Sequence, residues 1–136
     1  MSPELTTELF NKYSIIFEGK NKSIRESLLP FGLECDDGWY VLLDTLCSRL
    51  AVLEPQPTVI QVKEKYGTLR FYISGTDEAF DLVDKAEAES ATICETCGKE
   101  GKLCTTTGNA YGWFKTLCVE HAKEFDYKVL GTEPEE

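Results

Sequence analysis

Histidine is almost absent from this chain: His121 is the one histidine among 136 residues. A serine or cysteine nucleophile with a histidine base would therefore have to use that residue. HNH-type nucleases need a further catalytic histidine and zinc deaminases need an H-x-E pattern, and the sequence has neither. A glycine loop of the kind that binds phosphates is also missing. We therefore expect a protein that is not an enzyme.

Long apolar runs and an excess of basic residues are missing too. No apolar run approaches the roughly 18 residues of a membrane span, and the N-terminal residues lack the basic and apolar regions of a signal peptide. The 14 Lys and Arg against 24 Asp and Glu give a net charge of −10, which disfavours attraction to nucleic-acid phosphates. Six cysteines without an export signal fit a reducing compartment. We expect a cytoplasmic protein with no membrane partner.

Two pairs of metal-binding side chains stand near the C-terminus. Two residues separate Cys94 from Cys97 and Cys118 from His121, and twenty residues lie between the pairs. At this spacing four ligands can surround one tetrahedral zinc ion and close its coordination, as in a structural site. Free core cysteines or a disulfide framework are the alternatives, although a bridge across two residues is strained and nothing indicates secretion. Cys104 is the substitute ligand, which we disfavour because it lies in the middle of a predicted strand.

The segment between the two pairs predicts a small hairpin followed by a helix. Residues 102–106 and 113–117 are predicted strands, joined by a glycine-containing turn at 108–112. A helix should run from the second pair to about Val129. This arrangement resembles a treble-clef zinc finger over residues 94–121, and the resemblance implies one structural Zn²⁺ held by the four ligands.

The residues before the metal-binding pairs predict helices around one β-hairpin. Trp39 lies on the most apolar helical stripe, which should form the centre of the core, and Cys35 and Cys47 should be small core residues. Apolar stripes and capping residues predict helices near 3–17, 38–53 and 77–91, with a short helix beginning at Ser23.

We therefore expect an α+β fold. A small helical domain around a β-hairpin should occupy residues 1–92, and a C-terminal treble-clef-like zinc module at 93–130 should pack on it. Residues 131–136 have nothing to bury and should form a disordered acidic tail.

Alternating residues at 58–74 predict the hairpin, with a turn at Tyr66-Gly67 and a loop at 31–37 before it. One register segregates the apolar side chains on a single face, and a shift by one residue would lose this segregation. That register pairs Glu64 with Leu69, Val62 with Phe71 and Ile60 with Ile73.

The opposite face of the hairpin is basic. Lys63 lies opposite Arg70 in the favoured register, where like charges repel. The face is a candidate site for a small anionic ligand such as a nucleotide. The alternative is a solvated surface neutralised by acids such as Glu54 or Glu64. The candidate residues are Gln61, Lys63, Lys65, Arg70 and Tyr72.

The string from Val62 to Tyr72, together with Asp37-Gly38-Trp39 and the two metal-binding pairs, is similar to a group of small proteins encoded by bacteria and their phages. The similarity covers residues 33–122. It implies a bacterial or phage cytosolic setting and transfers no catalytic residue, because the group has no assigned activity.

Two main functions remain open from the sequence. The first is a zinc-stabilised protein-interaction factor, such as a phage or prophage protein acting on host machinery. Its expected contact residues are the aromatic side chains Tyr111, Trp113 and Phe114 of the zinc hairpin. The second is a binder of a small anionic ligand through the basic face. Nucleic-acid binding by a treble clef is a weaker alternative, because the net charge opposes it.

Overall fold

The computed structural model describes residues 1–21, 30, 32–106 and 112–130. These residues form a mixed α and β fold with two three-stranded sheets. The first sheet has the order β1 (Leu33–Glu34), β2 (Thr58–Lys65) and β3 (Thr68–Ser74). It is accompanied by α1 (Pro3–Lys12), α2 (Tyr40–Leu50) and α3 (Asp77–Ser90). The second sheet has the order β5 (Phe114–Leu117), β4 (Lys102–Thr105) and β6 (Lys128–Val129), with α4 (Val119–Glu124) between β5 and β6 in the chain.

Several predicted features lie outside the described residues. They are the short helix beginning at Ser23, most of the turn at 108–112 including Tyr111, and the acidic tail at 131–136. Within the described part of the chain, no helix combines the length and the apolar character needed to cross a membrane.

The core is centred on α2, as predicted, and Trp39 is fully buried. The α-helix is shorter than the predicted range 38–53, because residues Asp37–Trp39 form a 3-10 turn before it. Asp37 does not cap α2. Its carboxylate instead accepts a hydrogen bond from the backbone N–H of Ser2 at 2.7 Å.

The N-terminal helix also ends earlier than predicted. It stops at Lys12, and the next residue, Tyr13, leaves the helical conformation with φ −124°. Ile16 and Phe17 are still buried, so the apolar stripe continues without a helix. The carbonyl of Ile16 does not take part in a helix. It accepts a hydrogen bond from the backbone N–H of Val59 in β2 at 2.8 Å.

The β2–β3 hairpin has the predicted register over most of its length. The two turn residues, Tyr66 and Gly67, both have positive φ, which suits a tight two-residue hairpin turn. The predicted pairing of Ile60 with Ile73 is wrong. A bulge between Val59 and Gln61 shifts the register, so Val59 lies opposite Ile73 and is fully buried.

Two short strands were not predicted. β1 replaces part of the expected loop at 31–37 and pairs in parallel with β2, Leu33 lying beside Val62. β6 replaces the end of the helix predicted to reach Val129. The helix closes at Asp126, whose φ of +60° lets Tyr127 donate its backbone N–H to the carbonyl of Ala122 at 2.7 Å.

Candidate metal centre and adjoining groove

Three cysteines and the histidine converge at one point, as the spacing predicts. One ligand atom from each of Cys94, Cys97, Cys118 and His121 lies within 4.8 Å of the others. The Sγ atoms of Cys97 and Cys118 are 3.7 Å apart, and His121 Nδ1 lies 3.7 Å from Cys94 Sγ and 3.2 Å from Cys118 Sγ. A tetrahedral site with metal–sulfur bonds of about 2.3 Å has sulfur–sulfur edges of about 3.8 Å. The group therefore fits a single metal ion. All six cysteines are free of disulfides.

The first ligand pair lies on a tight turn. Gly98 has a φ of +82° and donates its N–H to the carbonyl of Cys94 at 2.8 Å. Burial raises the pKa of Cys94, but backbone N–H groups, those of Cys118, Cys97 and Thr96, outweigh burial and lower it to about 7. The turn thus favours a thiolate, the form of cysteine that binds metals.

The second pair lies where β5 meets α4. Cys118 precedes the helix, and its Sγ accepts the backbone N–H of His121 at 3.5 Å, so the ligand also caps the first turn. His121 points Nδ1 toward the thiols, while its Nε2 faces the carboxylate of Glu124 at 3.8 Å. A carboxylate on the far side of a ligating imidazole helps to fix the orientation of the ring.

The remaining cysteines are not part of this group. Cys104 is fully buried beside Cys94 and Cys118, but its Sγ contacts the carbonyl of Lys102 at 3.2 Å. Cys35 and Cys47 are buried in the main core, as predicted, and burial raises the pKa of Cys35 to about 12.

The metal-binding turn packs directly on the chain that enters α2. The N–H of Gly38 donates to the carbonyl of Glu95 at 2.7 Å, and the indole N–H of Trp39 donates to the carbonyl of Ile93 at 2.9 Å. A Cβ atom on Gly38 would overlap the carbonyl oxygens of Cys94 and Glu95. No role was predicted for Gly38 beyond its place in the Asp37-Gly38-Trp39 motif, and that motif is the signal for the contact.

The buried acid Glu95 joins the same contact. Its side chain is only 3% exposed, and one carboxylate oxygen accepts the N–H of Asp36 at 3.0 Å. Lys115 lies 3.8 Å from the other oxygen. Burial raises the pKa of Glu95, and the Lys115 ammonium opposes this change.

The basic face forms with the predicted pairing. Lys63 lies opposite Arg70, and Gln61 lies opposite Tyr72, whose ring centroid is 5.9 Å from Lys63 Nζ. β1 brings an acidic residue to this face that was not predicted there. Glu34 lies beside Lys63, and its carboxylate accepts a hydrogen bond from the side-chain amide of Gln61 at 3.5 Å. Among the described residues, no salt bridge forms with either opposed cation.

An open groove of about 400 Å³ lies where the β2–β3 turn meets the β4–β5 hairpin. It brings together Lys65 from the basic face and the predicted contact residues Trp113 and Phe114. Tyr66 was missed, although an aromatic side chain in a two-residue turn is a signal for an exposed contact. Trp113 is 79% exposed and Tyr66 is 65% exposed. The groove is lined by Glu64, Lys65, Tyr66, Gly112, Trp113 and Phe114.

Comparison with family models, curated proteins and solved structures found no match. The chemistry of the side chains is therefore the basis for assigning a function. Four protein donors would leave a tetrahedral metal without an open position for water or substrate. A centre of this kind is typical of structural metal sites.

Proposed function

We propose that this protein is a small cytoplasmic protein-interaction factor stabilised by structural zinc. The observation that carries the proposal is the groove, where two largely exposed aromatic rings, Tyr66 and Trp113, meet Phe114 at one place. Exposed aromatic side chains at one surface site are typical of protein interfaces, where tyrosine and tryptophan supply much of the binding energy.

Zinc is the metal that the ligands favour. Three thiolates and one imidazole select a soft or borderline ion over calcium or magnesium, which prefer oxygen ligands. We assign the module at 94–121 to the treble-clef type on its turn, hairpin and helix. Its metal would supply folding free energy rather than catalysis.

The metal would also hold one wall of the groove in place. Phe114 begins β5, which leads directly to the ligand Cys118. The hydroxyl of the buried Thr116 on that strand donates to the carbonyl of Gly67 at 2.8 Å. The backbone of Lys115 also forms a parallel β-bridge with Gly67. Loss of zinc should therefore release the zinc hairpin from the hairpin turn and open the groove.

The second candidate is a small anionic ligand on the basic face. The two opposed cations, which form no salt bridge within the described part of the chain, favour it, but Glu34 lies beside Lys63 and the face is open. Small-molecule sites usually enclose most of their ligand, so we place this function second. Nucleic acid comes third, because the net charge is −10.

Affinity capture with matched variants tests the proposed function. Wild-type protein and Phe80→Ala, a control at an exposed aromatic residue on α3, should enrich the same protein. Trp113→Ala should lose it, with binding of the purified partner weakened about ten-fold or more in calorimetry. If every captured protein binds Trp113→Ala as tightly as wild type, or if a nucleotide panel raises the melting temperature and no protein is captured, the proposal is wrong.

A further inference from the structure

We infer that the groove and the basic face together bind an acidic, extended segment of the partner protein, which places one apolar side chain in the groove and carboxylates on the cations beside it. This inference rests on the proposed function and adds the chemistry of the partner. It depends on the fact that the groove and the basic face, which were predicted as two separate sites, adjoin each other.

Lys65 connects the two surfaces. It lines the groove, and its Nζ lies 5.5 Å from the ring centroid of Tyr66. It also lies two residues from Lys63 on the same strand, so both side chains leave the same face of the sheet. An apolar side chain in the groove would thus stand next to a row of positive charges.

Glu34 lies beside Lys63 in the sheet but forms no salt bridge with it. Lys63 and Arg70 are paired across the hairpin, and no salt bridge forms with Lys63, Lys65 or Arg70 among the described residues. The Nε of Arg70 is buried and has no hydrogen-bond partner. Because like charges opposite each other are destabilising, an arriving carboxylate would relieve repulsion as well as gain attraction.

The spacing suits an extended peptide. Alternate residues of a strand lie about 6.6 Å apart on one face, so Lys63 and Lys65 match carboxylates at alternate positions of an extended ligand. The groove wall includes Glu64, whose carboxylate accepts the N–H of Gly67 at 2.8 Å. A peptide backbone has N–H donors for such an acceptor, whereas a phosphodiester backbone has none and would be repelled.

Fluorescence anisotropy with defined probes tests the inference on the zinc-loaded full chain. The main probe is a labelled decapeptide with alternating glutamates and one central leucine. Its matched controls replace the glutamates by lysines, or the leucine by serine, and a single-stranded oligothymidine of equal length is the nucleic-acid control. The acidic leucine peptide should bind, and its affinity should fall with added salt, because exposed charges are screened over about 8–10 Å.

Charge reversal should weaken that binding selectively. Lys63→Glu with Lys65→Glu should reduce affinity about ten-fold or more, as for charge pairs at an interface. Lys85→Glu, at an exposed position on α3, should leave it unchanged. Unchanged metal content and melting temperature would show that the variants fold. Equal binding of the lysine peptide, or tighter binding of oligothymidine, would overturn the inference.

The outcomes separate this inference from the proposed function. If a captured protein depends on Trp113 but the acidic peptide does not bind, the charge assignment is wrong and the interaction function stands. If no captured protein depends on Trp113 and the peptide does not bind, both are wrong.

Discussion

Gly38 brings the start of α2 into close contact with the turn that carries Cys94 and Cys97. Its N–H is hydrogen-bonded to Glu95, and the space beside its Cα is filled by the carbonyls of Cys94 and Glu95. Backbone atoms cannot rotate away from an added methyl group as a flexible side chain can. The position therefore demands glycine for a close approach.

Gly38→Ala should displace the turn that carries Cys94 and Cys97. We expect a loss of stability of about 1–3 kcal/mol from overpacking, together with weaker metal retention in a chelator competition. Gly32→Ala is an instructive comparison, since a Cβ there meets nothing within 4 Å and the cost would come only from its φ of +82°. Wild-type metal affinity in Gly38→Ala would show that the turn does not depend on this contact.

Tyr13 is the residue that ties α1 to α2. Its hydroxyl donates to the carboxylate of Asp44 at 2.6 Å, and Lys12 binds the same carboxylate at 2.6 Å. Burial and then the bond to Asp44 raise the pKa of Tyr13 to about 12. Because the pKa is raised in the folded state, the stabilisation is complete below pH 10 and is lost as the pH rises toward 12.

Tyr13→Phe should therefore cost about 1.5–3 kcal/mol at neutral pH, the value of a hydrogen bond to a charged group. The difference from wild type should shrink between pH 10 and 12. Ultraviolet titration should show a late-ionising tyrosine in wild type that is absent from the variant. A difference in urea stability that stays constant to pH 12 would contradict the assignment of the bond.

At the scale of elements, α3 protects the open edge of the first sheet. β3 is an edge strand, and the helix accepts hydrogen bonds from two of its outward N–H groups: Leu69 donates to Ser90 Oγ at 2.9 Å and Phe71 donates to Glu87 at 2.8 Å. Unpaired edge groups invite pairing with other chains. The helix thus satisfies part of the strand's open edge and packs against it.

Ser90→Ala should leave the N–H of Leu69 buried without a partner. We expect a loss of about 1–3 kcal/mol, the cost of an unsatisfied buried donor, measured by urea unfolding. Thr92→Ala is the matched control, because the Thr92 hydroxyl is exposed and only bonds the carbonyl of Glu89. Equal effects of the two substitutions would show that the edge contact adds nothing.

The sequence predicts elements well where local chemistry decides the outcome. The two-residue turn and the alternation on both strands predict Lys63 opposite Arg70, and the Cys and His spacing predicts the four side chains that come together as a possible metal site. Prediction from the sequence fails where contacts with residues far away in the chain determine the local structure. The bulge at Ile60 and the two-residue strand β1 depend on packing, and the turn that closes α4 places Asp126 in a left-handed conformation usually signalled by glycine.

At the scale of the whole molecule, hydrogen bonds link the part of the chain around the first sheet to the part that carries the second sheet. Gly38 meets the metal-binding turn, and Gly67 meets both Lys115 and Thr116 of β5. Much of the folding free energy of a small metal-binding module comes from its metal. Removal of the metal should therefore change the structure of the groove and of the residues that precede α2, as well as that of the four ligands.

Chelation should lower the melting temperature of the full chain and abolish binding at the groove. The expected order is loss of structure in residues 93–130 first, followed by weaker packing around Trp39. Hydrogen exchange with and without chelator would show this order, and readdition of zinc should restore protection. Unchanged exchange throughout the chain after complete metal removal would show that the metal has no structural role.

Native mass spectrometry of protein purified without chelator, with the metal identified by elemental analysis, tests the central claim most directly. The account predicts one zinc ion per chain in wild type and in Cys104→Ala, because Cys104 lies outside the ligand group. It predicts no retained zinc in Cys94→Ser. A wild-type chain without stoichiometric metal, or loss of zinc from Cys104→Ala as complete as from Cys94→Ser, would contradict it.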